Sequence, residues 1–276
     1  MNIENYQFFQ KHGYLSLGKI FNDREVAKFL AYYEYDRAAY PDYWYSFGHH
    51  QTINCDALAS TPEFDLLIRH PKVMEPLLAL MGGPICFSEI CLRHMGPYEG
   101  DFNQGWHRDR SHWKEHPLRL DYIQLMVYLS QVDETTHCFS ISPEGIDEQI
   151  VETKEQLDRA GGYDLYGPAG TAILFNVSVL HTATTRVTPL ERKTVQVYYG
   201  HRSRPFLSND SVMPPALSVN HEDPEIRSFY GVWNDKTRTY LERMKSAVPT
   251  NSNIELNIEE IGRILKKIDI ENGKRR

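Results

Sequence analysis

Apolar residues recur at helical spacing through the first third of the chain, most clearly between Val26 and Tyr33. Asn22 or Asp23 is a suitable N-cap for the helix that carries this pattern, and Pro41 ends it. The predicted helices are Ile3 to Lys11, a second from the cap to about Ala39, and Pro71 to Leu80. Residues 1–83 are therefore predicted to form a helical N-terminal part, with one extended segment over Tyr14 to Leu17.

The pattern changes after Gly82-Gly83-Pro84, where runs rich in β-branched and aromatic residues begin. Glycine, proline, asparagine and aspartate separate these runs, as they separate strands. The predicted strands are Ile85 to Met95, Asp121 to Ser130, Thr171 to Leu180 and Arg192 to His201. Residues 84–205 are thus predicted to form a β core.

Helical spacing returns after Pro215, and residues 216–270 are predicted to be helical. Two of the predicted helices lie around Asp223 to Val232 and Asp235 to Met244. The last predicted helix carries an apolar stripe of Ile254, Ile258, Ile261, Leu265 and Ile268. This stripe must cover something, and packing on the protein's own sheet is favoured over a dimer contact. The basic residues Lys274 to Arg276 are expected to be solvated.

An aromatic stretch, Tyr43 to His50, connects two predicted helices. Its ring density suits packing over the core and lining a pocket equally well, so the sequence leaves both open. The chain of 276 residues is predicted to be one domain, 1–276, in preference to two, because β-rich domains commonly reach this size.

Charge and cysteine content narrow the function. The net charge of -7 gives no positive field for a phosphate backbone, so nucleic acid is not expected as a partner. No apolar run approaches the ~20 residues that span a bilayer, and the first residues lack the apolar run of a signal peptide. The four cysteines have no C-x-x-C spacing. We predict a cytoplasmic protein with reduced thiols and no membrane partner.

The triplet His107-Arg108-Asp109 is the most informative motif, because residues i and i+2 of an extended chain share a face. Such a triplet is weak evidence alone, since His221-Glu222-Asp223 also fits, although Asp223 there is explained as a helix N-cap. His107 and Asp109 differ in having strand runs around them and a downstream partner, His181. Two histidines and a carboxylate that leave open coordination positions suit Fe(II).

Arg192 lies eleven residues after His181, across a turn that contains Pro189. An antiparallel return of that length can place Arg192 beside the metal ligands. Its guanidinium fits a carboxylate through two parallel hydrogen bonds, which lysine cannot form. The alternative is a surface arginine paired with Glu191 or another acid.

Together these features resemble the phytanoyl-CoA hydroxylase-like family of Fe(II)- and 2-oxoglutarate-dependent oxygenases. The opening Phe9-x-x-x-Gly13-Tyr14, Trp106 before the triplet and the strand from Ile123 to Leu129 also stand in the family's order. The resemblance implies a mainly β fold with flanking helices, built on a double-stranded β-helix (jelly-roll, cupin-like) core. It also implies catalysis with Fe(II), 2-oxoglutarate and O2, the metal on His107, Asp109 and His181, and the 2-oxoglutarate carboxylate on Arg192.

Several further residues are candidates within this resemblance. Relatives often place a serine two residues after the distal histidine, where this chain has Ala183. Either Thr182 or Thr184 compensates in binding 2-oxoglutarate, or the cosubstrate binds in a different position. The position of Gln124 contacts 2-oxoglutarate in relatives, and Arg93 is a candidate cosubstrate or substrate contact. Trp113 is a candidate substrate contact, because ectoine hydroxylase has a similar aromatic residue four positions after the aspartate.

Strand parity adds Gln196 and Tyr198, which share a face with Arg192, as substrate contacts. The segment Thr136 to Glu144 departs from the family's usual turn and is predicted to be a substrate-specific loop. Four other histidines are more often packed or surface residues than ligands: His49, His50, His112 and His116.

We predict an Fe(II)- and 2-oxoglutarate-dependent dioxygenase that acts, as a monomer or homodimer, on a C–H bond of a small organic molecule. The aromatic residues suit a substrate that carries a cationic group. Asp109 favours hydroxylation, desaturation or rearrangement, because related halogenases lack this carboxylate. The alternatives are a jelly-roll metalloprotein with an isomerase or hydrolase reaction, which leaves Arg192 unexplained, and a ligand-binding jelly roll without catalysis.

Overall fold

The computed structural model describes residues 1–247 and 258–273. Its α-helices are α1 (Ile3–His12), α2 (Asp23–Ala39), α3 (Ala57–Ser60), α4 (Asp65–Ile68), α5 (Pro71–Met81), α6 (Thr153–Ala160), α7 (Pro224–Phe229), α8 (Asp235–Ala247) and α9 (Ile258–Glu271). None of the helices in these ranges is long and apolar enough to cross a membrane. Ile254 of the predicted stripe and the basic residues Lys274 to Arg276 lie outside the described residues.

The strands form two antiparallel sheets. They are β1 (Tyr14–Lys19), β2 (Tyr45–Phe47), β3 (Gln51–Asn54), β4 (Ile85–Met95), β5 (Asn103–Gln104), β6 (Tyr122–Tyr128), β7 (Cys138–Ile141), β8 (Tyr163–Leu165), β9 (Thr171–Asn176), β10 (His181–Thr185) and β11 (Arg192–His201). The large sheet has the order β1-β9-β6-β11-β4-β3-β2, and the small sheet has the order β5-β10-β7-β8. The jelly-roll core and its flanking helices are confirmed.

The N-terminal helices begin and end at the signals that the sequence carries. Asn22 caps α2 in a capping box, in which its side chain accepts from the backbone of Glu25 and the Glu25 carboxylate accepts from the backbone of Asn22. Gly13 ends α1 at a φ of 73°, where a side chain would meet Val179 at 2.5 Å. Glycine is therefore required where α1 turns into β1, next to the segment that leads to β10.

The two faces of the large sheet have different partners, because successive strand residues point to opposite sides. In the part of β4 that follows the register shift opposite Tyr198 and Tyr199, Ile90 and Leu92 belong to the main apolar core together with Phe29 of α2 and Leu77 of α5. Glu89 and Arg93, on the other face of this part of β4, line a cavity instead. The helices thus cover one face, and the opposite face is left for the cavity that the small sheet also lines.

The C-terminal helices correct one prediction. Leu265 and Ile268 of α9 are buried, but they pack with Tyr43 and Tyr240 in a separate apolar cluster and not on the sheet. The hydroxyl of Tyr43 donates to the carbonyl of Ile258 at 2.8 Å. The predicted stripe is real, and its partners are α8, α3 and the turn after α2, which periodicity alone does not identify.

A buried ionic cluster joins this C-terminal part to the core. The ammonium of Lys236 in α8 lies 2.7 Å from Asp56 and 3.0 Å from Asp269, and all three side chains are almost fully buried. Replacing Lys236 by methionine would leave both carboxylates buried without this cation. We expect the free energy of unfolding to fall by about 3–5 kcal/mol, measured by denaturant titration.

The control is Lys266→Met. Lys266 pairs with Asp42 at 3.7 Å, but both side chains are largely exposed, so an effect below about 1 kcal/mol is expected. Equal effects of the two substitutions would show that the Lys236 cluster does not anchor the helices.

The predicted loop at Thr136 to Glu144 is also corrected. Residues Cys138–Ile141 form β7, which pairs with β10 and β8 in the small sheet. A strand of four residues among polar neighbours lacks a clear alternation, and its pairing partners lie far along the chain. The sequence therefore missed β7, together with the short elements β5, β8 and α6.

Candidate active site

Backbone pairing brings the two predicted histidine ligands together. The N–H of His107 donates to the carbonyl of His181 at 3.0 Å, and the N–H of His181 donates to the carbonyl of His107 at 2.9 Å. Residues that exchange both hydrogen bonds lie directly opposite each other in an antiparallel pair. The N–H of Asp109 donates to the carbonyl of Val177 at 3.0 Å, which holds Asp109 beside the same segment.

The side chains of these three residues converge on one point. Each offers a ligand atom, and these atoms lie within 4.8 Å of one another. Nε2 of His107 lies 3.4 Å and Nε2 of His181 3.7 Å from Oδ1 of Asp109. The described part of the chain offers no second group of three such residues.

Hydrogen bonds prepare both imidazoles to bind a metal. Nδ1 of His107 lies 2.8 Å from the carbonyl of Gly105, and Nδ1 of His181 lies 2.8 Å from the carbonyl of Val179. A carbonyl oxygen only accepts, so each Nδ1 carries the proton and each Nε2 keeps a lone pair. Oδ2 of Asp109 is buried without a hydrogen-bond partner. This donor set fits a divalent cation at a facial site.

The charge states also suit a metal. Burial raises the pKa of Asp109, but His181 and His107 outweigh this effect and hold the pKa below its ordinary value. Burial lowers the pKa of His181. The hydrogen bond to Asp109 raises the pKa of His107. An ionised aspartate and a neutral, buried histidine are the forms that bind a metal.

Arg108, between the two ligands, faces away from them and fixes their segment. Its guanidinium contacts the buried carboxylate of Glu144, with Nη2 at 3.1 Å from Oε2. His112 lies 3.5 Å from the same carboxylate. Glu144 thus holds the ligand segment against the loop that follows β7, and the predicted candidate His112 belongs to this support.

Removing this support should weaken metal binding without removing a ligand. For Arg108→Ala we expect a roughly 10- to 100-fold loss of affinity for Mn(II), measured by calorimetric titration, because residues behind the ligands set their orientation. Arg159→Ala is the control, since Arg159 pairs with Glu148 at a partly exposed position. An Arg108 variant with wild-type affinity would contradict a positioning role.

The triad opens onto a cavity of about 380 Å³. This volume falls within the range of small-molecule sites. Residues of both sheets line it. Nine of the ten predicted site residues are among them: His107, Asp109, His181, Arg192, Gln124, Thr182, Arg93, Gln196 and Tyr198.

The lining residues of the large sheet lie in cross-strand rows. Tyr198 of β11 lies opposite Gln124 of β6 on one side and Glu89 of β4 on the other. In the next row Gln196 lies opposite Cys91 and Met126. The amide of Gln124 donates to the side-chain carbonyl of Gln196 at 2.7 Å, which fixes both side chains at the cavity wall.

Arg192 is the most unusual of these residues. Its side chain is buried, with 3% of the residue exposed, and forms no ion pair with any described carboxylate. Nη1 donates to the carbonyl of Cys138 at 3.0 Å, and the guanidinium also contacts the sulfurs of Met95 and Met126. It lies 6.0 Å from the centre of the Tyr128 ring, and Nε has no hydrogen-bond partner. Burial lowers the pKa of Arg192. A guanidinium kept in this environment lacks the anion that would offset the cost of its burial.

The structure distinguishes between Thr182 and Thr184, the two threonines of β10 that were predicted as alternatives. Thr182 lines the cavity beside Ala183, with its hydroxyl 3.1 Å from the carbonyl of Ala183. Thr184 is committed elsewhere, since its hydroxyl contacts Ser140 and accepts from Gln104 at 2.9 Å. Of these two threonines, only Thr182 lines the cavity.

Trp113 is not at the cavity, which corrects its prediction as a substrate contact. The loop from 110 to 120 turns back on itself, with the Trp113 N–H donating to Arg119, and directs the indole onto His201 and Arg204. The nearby candidate His116 bonds the carbonyl of Met81 at 2.8 Å and lies outside the cavity as well.

The aromatic stretch from Tyr43 to His50 was predicted either to pack over the core or to line a pocket, and different residues of it do each. Tyr43 is buried in the C-terminal cluster, whereas Phe47, Gly48 and His49 line the cavity. Phe47 stays 46% exposed, so this part of the wall is at the mouth. His50 bonds the carbonyl of Gly96 at 3.0 Å and is not a lining residue.

The sequence did not single out two acids of the cavity, Glu89 and Asp210. Glu89 could have been found, because it is the only acidic residue of a mainly apolar strand and shares a face with Arg93. Asp210 lies in an irregular segment after β11, where no periodicity indicates direction.

Comparison with known proteins places the fold. The chain matches the family model described as Phytanoyl-CoA dioxygenase (PhyH) over residues 9–194. No curated protein sequence matches it significantly. Three similar solved structures have low sequence identity to this chain and show the fold.

The first is the epimerase SnoN in complex with Fe3+, alpha ketoglutarate and nogalamycin RO, at 16% identity and a TM-score of 0.62 over 73% of this chain and 85% of that one. The second is HygX from Streptomyces hygroscopicus with nickel and 2-oxoglutarate bound, at 17% identity and a TM-score of 0.61. The match covers 81% of this chain and 94% of HygX. The third is EctD from S. alaskensis in its apoform, at 19% identity and a TM-score of 0.62. The match covers 82% of this chain and 86% of EctD.

Proposed function

Because this chain belongs to the phytanoyl-CoA dioxygenase family, we propose that it is an Fe(II)- and 2-oxoglutarate-dependent dioxygenase that oxidises a C–H bond of a small organic molecule. One observation carries the proposal. A buried arginine without a carboxylate partner, Arg192, shares a cavity with an open group of two histidines and one aspartate. An enzyme that binds a metal and a dicarboxylate together needs this combination.

His107, Asp109 and His181 would hold the iron, since their free Nε2 atoms and carboxylate face one point. Iron bound with 2-oxoglutarate and O2 would supply the oxidising power, with conversion of 2-oxoglutarate to succinate and CO2. The protein's own contribution is to orient these groups. The hydrogen bonds to Gly105 and Val179 fix the imidazoles, and Arg108 with Glu144 fixes the segment between them.

Arg192 would bind the distal carboxylate of 2-oxoglutarate through two parallel hydrogen bonds. Its apolar neighbours Met95 and Met126 exclude water, which strengthens this ion pair. Gln124 and Thr182 line the same cavity and would bind other oxygens of the cosubstrate. Gln196 and Tyr198 would contact the substrate. Burial, followed by the charge of Asp109, raises the pKa of the Tyr198 phenol.

The isomerase, hydrolase and binding-protein alternatives require no buried cation at this position. The similar protein SnoN is an alpha ketoglutarate dependent epimerase, so the use of this cosubstrate does not define one reaction outcome. We propose C–H oxidation, by hydroxylation or desaturation, because Asp109 fills the coordination position that halogenases leave open. One domain over 1–276, a cytoplasmic location and a monomer or homodimer remain predictions.

The test is anaerobic reconstitution with Fe(II) and 2-oxoglutarate. We expect a weak visible metal-to-ligand charge-transfer band that needs both components, followed by succinate formation when O2 is admitted with substrate. A protein that binds the metal but shows no band with 2-oxoglutarate would reject the proposal and favour a hydrolase or isomerase.

A further inference from the structure

The cavity holds more charge than the proposed function uses. Asp109 is assigned to the metal and Arg192 to the cosubstrate, which leaves Arg93, Glu89 and Asp210 on the wall. Arg93 and Glu89 lie on the same face of β4, four residues apart. Their Cα atoms are thus roughly 13 Å apart, at about 3.3 Å per residue. A basic group and an acidic group therefore lie at separate places in one cavity.

Arg93 has no ion pair with any described carboxylate. Its Nη1 donates to Gln51 at 3.1 Å, its guanidinium lies 5.1 Å from the centre of the Phe47 ring, and Nε is buried without a partner. Gln51 and Phe47 belong to the part of the wall near the mouth. Arg93 is therefore directed toward the side from which a substrate enters, and its capacity to bind an anion is unused.

Glu89 marks the other position. The residue is 6% exposed, and its Oε2 accepts a hydrogen bond from Ser208, which also accepts from the backbone N–H of Asp210. Burial and the nearby Asp210 carboxylate raise the pKa of Glu89 well above its usual range. Burial disfavours the charged form of the Glu89 carboxyl group, and a cation that binds beside it in the cavity favours that form.

We propose that the substrate is a small zwitterion, whose anionic group binds Arg93 and whose ammonium group binds Glu89 and Asp210. This inference rests on the proposed function and names the substrate class for it. A molecule held at both ends presents its intermediate carbons to the cavity that the metal ligands share. Single-charge molecules of the same size satisfy only one of the two positions.

The probe is a panel of amino acids with increasing separation of charge: glycine, 4-aminobutyrate, 5-aminovalerate and 6-aminohexanoate. Each is compared with its N-acetyl derivative, which lacks the ammonium, and its carboxamide, which lacks the carboxylate. Binding is measured calorimetrically with the anaerobic protein loaded with Fe(II) and 2-oxoglutarate. At least one amino acid is expected to bind roughly 10-fold or more tightly than both of its derivatives.

The variant Glu89→Gln tests the contact to the ammonium group, and Arg93→Gln tests the contact to the anionic group. Each is expected to weaken binding of the preferred amino acid by roughly 10- to 100-fold while the affinity for 2-oxoglutarate stays within about twofold. Arg238→Gln is the control, because Arg238 is an exposed arginine outside the cavity. Retained 2-oxoglutarate binding also shows that each variant is folded, and the wild-type panel decides the question if a variant is not.

The inference is overturned if the derivatives bind as well as the amino acids, or if no panel member binds to protein that shows the charge-transfer band. Weaker 2-oxoglutarate binding by Arg93→Gln would instead assign Arg93 to the cosubstrate and also overturn it. A wild type without any band fails the proposed function itself, so the two failures are distinguishable.

Discussion

Replacing His181 by alanine is expected to lower the affinity for Fe(II) more than 100-fold and to abolish the charge-transfer band with 2-oxoglutarate. His181 is 5% exposed, and Nδ1 of its ring is bonded to the carbonyl of Val179. The lone pair of Nε2 is therefore available to bind the metal. Loss of a contact behind the ligands costs about 10- to 100-fold, and loss of a ligand should exceed that. Calorimetric titration with Fe(II) or Mn(II) under anaerobic conditions measures the change.

The chain provides a matched control in its second His-x-Asp triplet. His221 precedes the N-cap residue Asp223 of α7, and its Nδ1 accepts from the backbone N–H of Asp223 at 3.1 Å. His221→Ala should leave metal affinity unchanged. A His181 variant that still binds the metal at wild-type affinity would contradict the site, as would a His221 variant that loses it.

The contrast between these triplets shows what a sequence can predict about a site. Residues i and i+2 share a face only in an extended chain. His107 forms an antiparallel bridge with His181, and Asp109 bonds through its N–H to Val177, in the segment just before His181. His221 stands at a helix start. The same three-residue pattern therefore has two meanings, and the surrounding strand runs decide between them.

Strand boundaries were predictable where local preferences agree. β4 and β11 have the predicted limits, because each is a long run of β-branched and aromatic residues between glycine, proline or acidic breaks. Cys138–Ile141 is different, since this short strand exists only through its pairing with β10 and β8. Long-range pairing of that kind leaves no periodicity in the sequence.

The direction of side chains in loops could not be predicted from the sequence. Gln124, Gln196 and Tyr198 reach the cavity as strand parity predicts, whereas Trp113 turns toward His201. Parity is set by the pleat of a strand, but a loop residue takes its direction from contacts that the fold creates. The same reason explains why Asp210, in an irregular segment, was missed.

Arg192→Met is expected to abolish 2-oxoglutarate binding without destabilising the protein. Methionine has a similar length and suits the neighbouring Met95 and Met126, while it removes a buried charge that has no carboxylate partner. Replacing buried charges by apolar side chains is often neutral or stabilising by about 1–4 kcal/mol. The affinity for 2-oxoglutarate should fall about 100-fold or more, because two charge-assisted hydrogen bonds are lost.

Denaturant titrations with and without 2-oxoglutarate, in the presence of Mn(II), separate binding from stability. At a 2-oxoglutarate concentration of 100 times Kd, the wild type should gain about 2.7 kcal/mol of unfolding free energy. The variant should gain almost nothing, yet equal or exceed the wild type when 2-oxoglutarate is absent. An arginine with a structural role would give the opposite result, a less stable variant that still responds to 2-oxoglutarate, because its contacts to Cys138 and the two methionines would then be its function.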